Sequence, residues 1–328
     1  MNLVERLQSV FVAAAALTGL AVGLLTPVGE VGEYVVIPAL LVMLVAIFVQ
    51  VDATQVSEVR RAKSLVAASL VLNYLFTPAV AWALGAGLLG DQPDLRIGLL
   101  LLLMTPCTDW YLVFTGVAKG HTGIATALLP VNLVLQLLLL PVYVLLLGGE
   151  AAMVDPGTLA EAVLLMLLTP LVAAFLIRWV TRRTKGAQWQ EQTLNRLAGR
   201  LVVPLLCLAV FAMFAWQAPV VAEHGTELVL LLPALAGFFI ILPLVATVVS
   251  KLMGLPGAQR VTLTMVTTAR NSPIALGIAV AAFPDRPLIA VALVVGPLIE
   301  LPVLAVLAQI VRYKEPGLQG SADRRIEG

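Results

Sequence analysis

Runs of about 20 apolar residues fill most of this chain, and a helix of that length crosses a hydrocarbon core about 30 Å thick. This is the pattern of a polytopic helical membrane protein. Of 328 residues, 60% are hydrophobic and only 12% charged, against about half and about a quarter in soluble domains, which excludes a soluble globular enzyme. A formal net charge of +1 points neither to nucleic acid nor to an acidic scaffold, so the position of the charges matters more than their sum. Cys107 and Cys207 both lie inside apolar runs, so no disulfide framework is indicated. Arg6 and the apolar stretch after it resemble a signal peptide, but no small-residue cleavage site follows and another span does. The stretch reads as the first membrane helix.

Hydropathy predicts ten spans, near 9–27, 34–51, 64–90, 96–118, 122–147, 158–181, 201–220, 226–252, 261–283 and 287–312. Alternate loops differ in charge. Glu30, Glu33, Asp91, Asp94, Glu150, Asp155 and Glu223 occupy one set; Arg60, Arg61, Lys63, Lys119, Arg182, Arg183, Lys185, Arg196, Arg200, Lys251 and Arg260 occupy the other. Basic residues in short loops mark the cytoplasmic side, so both termini are expected there, in a multi-pass protein of the cell membrane.

Transporters often carry repeats as weak hydropathy symmetry. Pro78 and Pro243 stand 165 positions apart, as do Thr105 and Arg270, which open the polar clusters interrupting spans four and nine. Pro130 and Pro297, in spans five and ten, stand 167 apart. The fold class expected is therefore all-α, with ten transmembrane helices in two inverted five-helix repeats and broken crossing helices four and nine; five spans per repeat reverse the second repeat. Residues 1–150 form the first repeat, 151–200 the sixth helix and a polar, amphipathic cytoplasmic linker, and 201–312 the rest of the second repeat. Residues 313–328 read as a disordered cytoplasmic tail.

Asp109, Arg270 and Glu300 are ionisable residues inside spans. Each costs at least roughly 2.5–3.5 kcal/mol at mid-membrane, so such residues face a cavity and a partner and are functional candidates. Arg270 and Asp109 are the expected charge pair. Spans four and nine carry a proline within a polar cluster, Thr105-Pro106-Cys107-Thr108 and Arg270-Asn271-Ser272-Pro273. A break of that kind frees backbone groups that lipid cannot satisfy, so it survives only beside a protein-lined cavity. Paired breaks in matching positions point to a midplane substrate site, where Cys107, Thr108, Asp109, Asn271 and Ser272 should converge. A thiol at a half-helix N-terminus suits a soft, thiophilic solute, although membrane cysteines also serve as small packing residues, the role given to Cys207. Glu300 lies between Pro297 and Pro302; a buried carboxyl without a fixed cation is suited to carrying a proton. His121 and His224 fall in loops and receive no role. No Walker loop, zinc motif or Rossmann pattern is present, so neither a cofactor nor a metal is expected and secondary transport is left.

PCTDWYLVFTGVAKGH from Pro106, with Pro130-Val131-Asn132 and Gln136, resembles spans four and five of arsenite efflux permeases, within the bile acid:sodium symporter superfamily. TTARNSPIALGIAVA from Thr267 and VVGPLIELPVL from Val294 resemble the family's ninth and tenth spans. The resemblance implies two inverted five-helix repeats, a panel and a core domain, and crossing broken helices. It further implies export of trivalent arsenic by proton antiport, with the family's essential cysteine and glutamate falling on Cys107 and Glu300. This chain departs from the arsenite pattern at Asp109, Trp110, Tyr111, Arg270 and Pro273. The expected function is arsenite, and antimonite, efflux by proton antiport, with lipid, protons and a small solute as partners and no nucleic acid. The second reading is an organic-anion symporter of the same superfamily, in which Arg270 clamps a carboxylate. The sodium ligands of sodium-coupled members would fall on Val266, Arg270 and Tyr111-Leu112, so sodium is not expected to be needed.

Overall fold

The computed structural model describes residues 8–50, 62–107, 110–148 and 156–314. They are built of helices: α1 (Gln8–Leu25), α2 (Gly32–Val49), α3 (Lys63–Leu88), α4 (Pro93–Met104), α5 (Trp110–Val117), α6 (Thr122–Leu147), α7 (Gly157–Thr184), α8 (Ala187–Trp216), α9 (Ala218–Leu228), α10 (Leu231–Leu252), α11 (Gly257–Thr268), α12 (Ser272–Ala282) and α13 (Pro287–Lys314). Among the described residues, six helices are individually long and apolar enough to cross a membrane, and α6, bent by 52° between Gln136 and Leu138, makes a seventh. The remaining apolar elements are α1 and the two pairs α4/α5 and α11/α12, whose halves are each too short to span alone. Large apolar side chains such as Phe175, Ile240 and Leu244 are exposed on the outer surface, as a lipid-facing surface requires.

Two groups of helices pack among themselves. In one, α8 lies along α1 and α2, and α7 lies along α2. The other gathers α3 to α6 with α10 to α13; within it α4 packs on α3 and α13, α11 on α10, and α12 on α13. The groups meet where α12 touches α2 and α7, where α13 touches α1, and where α6 touches α7.

The first group is closed by an unusually near approach of backbones. Gly19 and Gly23 stand one turn apart on α1, and a Cβ on either would run into the carbonyl oxygen of Phe211 or Ala215 on α8. Lipid tails are as apolar as leucine, so helices here associate by van der Waals contact and small residues bring them together.

Prolines within the second group redirect hydrogen bonds. Pro78 has no N–H to offer the carbonyl four residues back, Tyr74 O. The helix widens to a π turn over Leu72–Phe76, and the Tyr143 hydroxyl of α6 donates to Tyr74 O instead. Tyr74 in turn donates its hydroxyl to Asn132 O at 3.0 Å. Thus α3 and α6 are joined by a polar ladder that the missing N–H makes available.

Two connections are more helical than their polar composition alone indicates. The polar stretch 182–200 is almost wholly helical: α7 runs on to Thr184 and α8 begins at Ala187, with Gly186 at φ 86° making the turn. Its helix-forming residues extend both spans beyond their apolar parts. The stretch before span eight forms a separate helix, α9, so α10 starts at Leu231 rather than near 226. The 313–328 tail lies outside the described residues from 315 onward.

Gly23→Ala should lower the Tm of the protein in detergent by several degrees, because overpacking a tight interface costs ~1–3 kcal/mol. Gly87→Ala, where an added Cβ meets nothing within 4 Å, should leave Tm unchanged or raise it. Equal behaviour of the two variants in a thermal melt would remove the α1–α8 seam as a stabilising contact.

Candidate functional site

Span four breaks after Met104 and span nine after Thr268, and the two breaks lie against each other as a short antiparallel bridge between Pro106 and Arg270. Asn271 N donates to Thr105 O at 2.7 Å and Cys107 N donates to Ala269 O at 3.1 Å. Each unwound segment therefore satisfies the other's backbone, which hydrocarbon could not do. The Thr105 hydroxyl donates to Leu101 O and Leu102 O of its own helix at 3.0 Å and lies 3.2 Å from Asn271 O.

The second half of span nine is started by its own sequence. Asn271 Oδ1 accepts from Ile274 N at 3.1 Å as an N-cap, and Pro273 follows where its missing N–H costs nothing. The turn below the other break is held similarly: Tyr111 donates its hydroxyl to Ala125 O at 2.7 Å, and His121 N donates to Thr262 Oγ1 at 2.7 Å. His121 also caps α6, its Nδ1 accepting from Ile124 N. His224 pairs with Glu227 at 3.0 Å on α9, outside the spans, and that hydrogen bond pushes the imidazole above its ordinary value.

Arg270 is 1% exposed and sits inside the crossing. Its Nη1 donates to Leu103 O at 3.0 Å, and its Nη2 donates to Asn73 Oδ1 at 3.0 Å and to Thr267 O. The guanidinium carbon lies 5.1 Å from the ring centre of Phe238 on α10. Leu103 and Thr267 stand in the last turns of α4 and α11, so the charge meets the negative ends of two helix dipoles and carbonyls that have no partner within their own helices.

Glu300, on α13, reaches the same place. Its Oε1 accepts from the Arg270 backbone N–H at 2.7 Å, and the two charges attract. The carboxylate thus holds the backbone of the residue whose guanidinium turns toward Leu103, Thr267 and Asn73. Ser272 begins α12 with its hydroxyl buried and unpartnered, and Gly296 of α13 leaves it room, since a Cβ there would lie 2.7 Å from Ser272 Oγ.

Of the residues expected at the site, Cys107, Arg270, Asn271, Ser272 and Glu300 are buried around the one crossing. Thr108 and Asp109 lie outside the described residues, and so does the expected pairing of Asp109 with Arg270. The sequence reading missed Asn73, Phe238 and the two helix-end carbonyls. A signal existed for the first two: Asn73 and Phe238 stand 165 positions apart, the spacing of Thr105 and Arg270. Among the described residues no group of three or more His, Cys, Asp or Glu side chains is arranged to hold a metal ion.

The sequence model of the Sodium Bile acid symporter family matches residues 37–224. The chain belongs to this family. It is accordingly a transporter of the bile acid:sodium symporter superfamily and an integral membrane protein. Among relatives, the arsenical-resistance protein Acr3 of Corynebacterium glutamicum is 27% identical over 290 residues, 85% of this chain and 78% of its own length. The arsenical-resistance protein Acr3 of Alkaliphilus metalliredigens is 26% identical over 328 residues, 93% of this chain and 91% of its own. An uncharacterized transporter of Synechocystis, slr0944, is 25% identical over 341 residues, covering 95% and 89%. The family match stops short of α11, α12 and α13, so Arg270 and Glu300 stand on the structure's own geometry.

The N-cap of α12 should be separable from any contact with solute. Asn271→Ala should cost about 1 kcal/mol and lower Tm, whereas Asn271→Ser, which keeps a capping oxygen, should retain most of the stability. Equal melting of the two variants would show that the cap does not hold the break.

Proposed function

We propose that this transporter exports trivalent arsenic, and antimony, as the neutral hydroxide in exchange for protons, and that it does so with ten spans in two inverted repeats. The observation that carries this reading is that a cysteine and a glutamate bond to consecutive residues of one break. Cys107 N bonds Ala269 O while Glu300 Oε1 takes the N–H of the next residue, Arg270. Two relatives that cover most of the chain are named for arsenical resistance, and trivalent arsenic is thiophilic. A single thiolate ligand binds it weakly enough to let it go, as transport demands.

The repeat reading has support in the packing. If α1, α2, α3, α4/α5 and α6 correspond to α7, α8, α10, α11/α12 and α13, then α8 on α1 is the image of α2 on α7. Likewise α4 on α3 matches α11 on α10, and α5 on α6 matches α12 on α13; all six contacts occur. The alternating acidic and basic loops put both termini in the cytoplasm.

Coupling follows from the position of Glu300. A proton on this carboxyl removes its negative charge and weakens the charge-assisted bond from the Arg270 N–H, so protonation loosens the hold of α13 on the break. Solute and proton then alternate in a cavity whose walls move as the core group of helices shifts against α1, α2, α7 and α8. The second reading, with Arg270 clamping an organic carboxylate, is less favoured because Nη1 and Nη2 already donate to protein oxygens.

In everted vesicles carrying the protein, an imposed pH gradient should drive arsenite accumulation and leave taurocholate outside. Cys107→Ser should abolish arsenite accumulation while the protein stays folded in the membrane, and Glu300→Gln should abolish the pH-driven component. Wild-type rates from Cys107→Ser, or taurocholate uptake in preference to arsenite, would overturn the reading. For topology, in a chain with Cys107 and Cys207 replaced by serine, a cysteine at Asp155 should react with an impermeant reagent from outside. One at Lys185 should react only from inside, and the opposite pattern would refute the inverted arrangement.

A further inference from the structure

We propose that the corner where α7 turns into α8 is a binding site for an anionic phospholipid, its headgroup phosphate held by Arg182, Arg183 and Lys185 and its acyl chains lying along the outer face of α7. The inference needs only that the chain is an integral membrane protein. It depends neither on the solute nor on which side of the membrane the corner faces.

The outer face of α7 has the profile of a lipid. Val172, Phe175 and Leu176 are exposed on it, and apolar side chains so placed in a membrane protein lie against acyl chains. Phe175, Trp179 and Arg183 follow at intervals of four residues, so they line up along one side of the helix, about 6 Å apart along its axis. Trp179 is 47% exposed, and an exposed indole at the end of an apolar span marks the level of the headgroups. Arg183 comes one turn further out, where the phosphates lie. Apolar face, indole and guanidinium thus succeed one another in the order of acyl chain, glycerol and phosphate. A free anion would need only the last of these, and a soluble acidic partner would have no use for the first.

The cations are held in place by the rings. The guanidinium carbon of Arg183 lies 4.3 Å from the ring centre of Trp179. Stacking occupies the flat face of a guanidinium and leaves its edge donors, which match two phosphate oxygens at once. Beyond the turn at Gly186, with φ 86°, Lys185 Nζ lies 5.8 Å from the ring centre of Trp189, itself 36% exposed. Two indoles on either side of the corner therefore hold one cation each. Arg182 is exposed beside them, and no acidic residue occurs between Glu161 and Glu191 to neutralise the three. Arg178, the fourth base of that stretch, is committed to the protein. Its Nη1 donates to Val49 O at the end of α2, and with the amide oxygen of Gln190 turned toward it, Nη2 donates to Gln190 at 3.0 Å. These bonds tie the end of α7 and the start of α8 to α2. A corner braced in this way has little ordering left to lose when a headgroup arrives.

The test uses the full chain purified in detergent and lipids that share two oleoyl chains. Dioleoylphosphatidylglycerol should raise Tm saturably by several degrees, because a ligand that binds only the folded state stabilises by mass action. Dioleoylphosphatidylcholine and inorganic phosphate should leave Tm unchanged, and native mass spectrometry should find phosphatidylglycerol, not phosphatidylcholine, retained on the wild-type protein. Each basic residue near anionic headgroups strengthens binding about fivefold, so a variant combining Arg182→Gln, Arg183→Gln and Lys185→Gln should bind phosphatidylglycerol about a hundredfold more weakly and lose the shift. Trp179→Leu removes the ring under Arg183 and should reduce the shift, whereas Trp179→Phe should keep most of it. A control combining Lys63→Gln, Lys251→Gln and Arg312→Gln neutralises three exposed cations elsewhere and should respond as the wild type does. An equal loss in this control would reduce the effect to bulk charge and overturn the proposal. So would an equal shift with phosphatidylcholine or inorganic phosphate, or a corner variant that still responds fully. Should the combined corner variant fail to fold, Arg183→Gln against Lys251→Gln carries the same comparison, and equal responses from that pair reject the site.

Discussion

Every backbone group of a membrane-embedded chain must find its hydrogen-bond partner within the protein, and the structure is organised around the two places where that rule is hardest to meet. The helix pairs α4/α5 and α11/α12 each stop being helical between their halves, freeing N–H and carbonyl groups. The chain satisfies them by laying one break against the other, with Asn271 N on Thr105 O and Cys107 N on Ala269 O, and by driving an arginine between the helix ends. The neighbours follow from that junction. Helix α13 lies where Glu300 can hold the Arg270 N–H, α3 brings Asn73, and α10 brings Phe238. Remove the crossing and none of these buried polar residues has a reason to be there.

The same junction explains why the molecule separates into two groups of helices. Those around the crossing are cross-linked by polar contacts of long sequence separation, including the Tyr143–Tyr74–Asn132 ladder that Pro78 makes possible. The other group has a seam of small residues, Gly19 and Gly23 against the α8 backbone. Between the groups lie the contacts of α12 with α2 and α7, of α13 with α1 and of α6 with α7.

Much of this was legible in the sequence for definable reasons. Hydropathy gives membrane helices because the spanning length is set by the bilayer, and a proline inside a polar cluster announces a break because lipid tolerates no free backbone group. Arg270 and Glu300 stood out because an ionisable residue at mid-membrane is costly. Less visible were connections governed by local helix propensity, such as 182–200, which continues α7 and α8, and α9, a helix of its own. Asn73 escaped notice because one amide in an apolar run resembles an ordinary packing polar residue, and a backbone carbonyl such as Leu103 O leaves no mark in the sequence at all.

The amino-acid sequence by itself determined that this chain lives in a membrane, where its helices break, and that Arg270 and Glu300 must be buried. What only the tertiary structure decided is whom those residues meet. The acceptors of the Arg270 guanidinium lie 197, 167 and 3 residues away, and the carboxylate on its backbone lies 30 away. Local preference acts over a few residues and sets the breaks; the pairing of groups separated by half the chain is fixed by packing, which alone brings two broken helices to the same point.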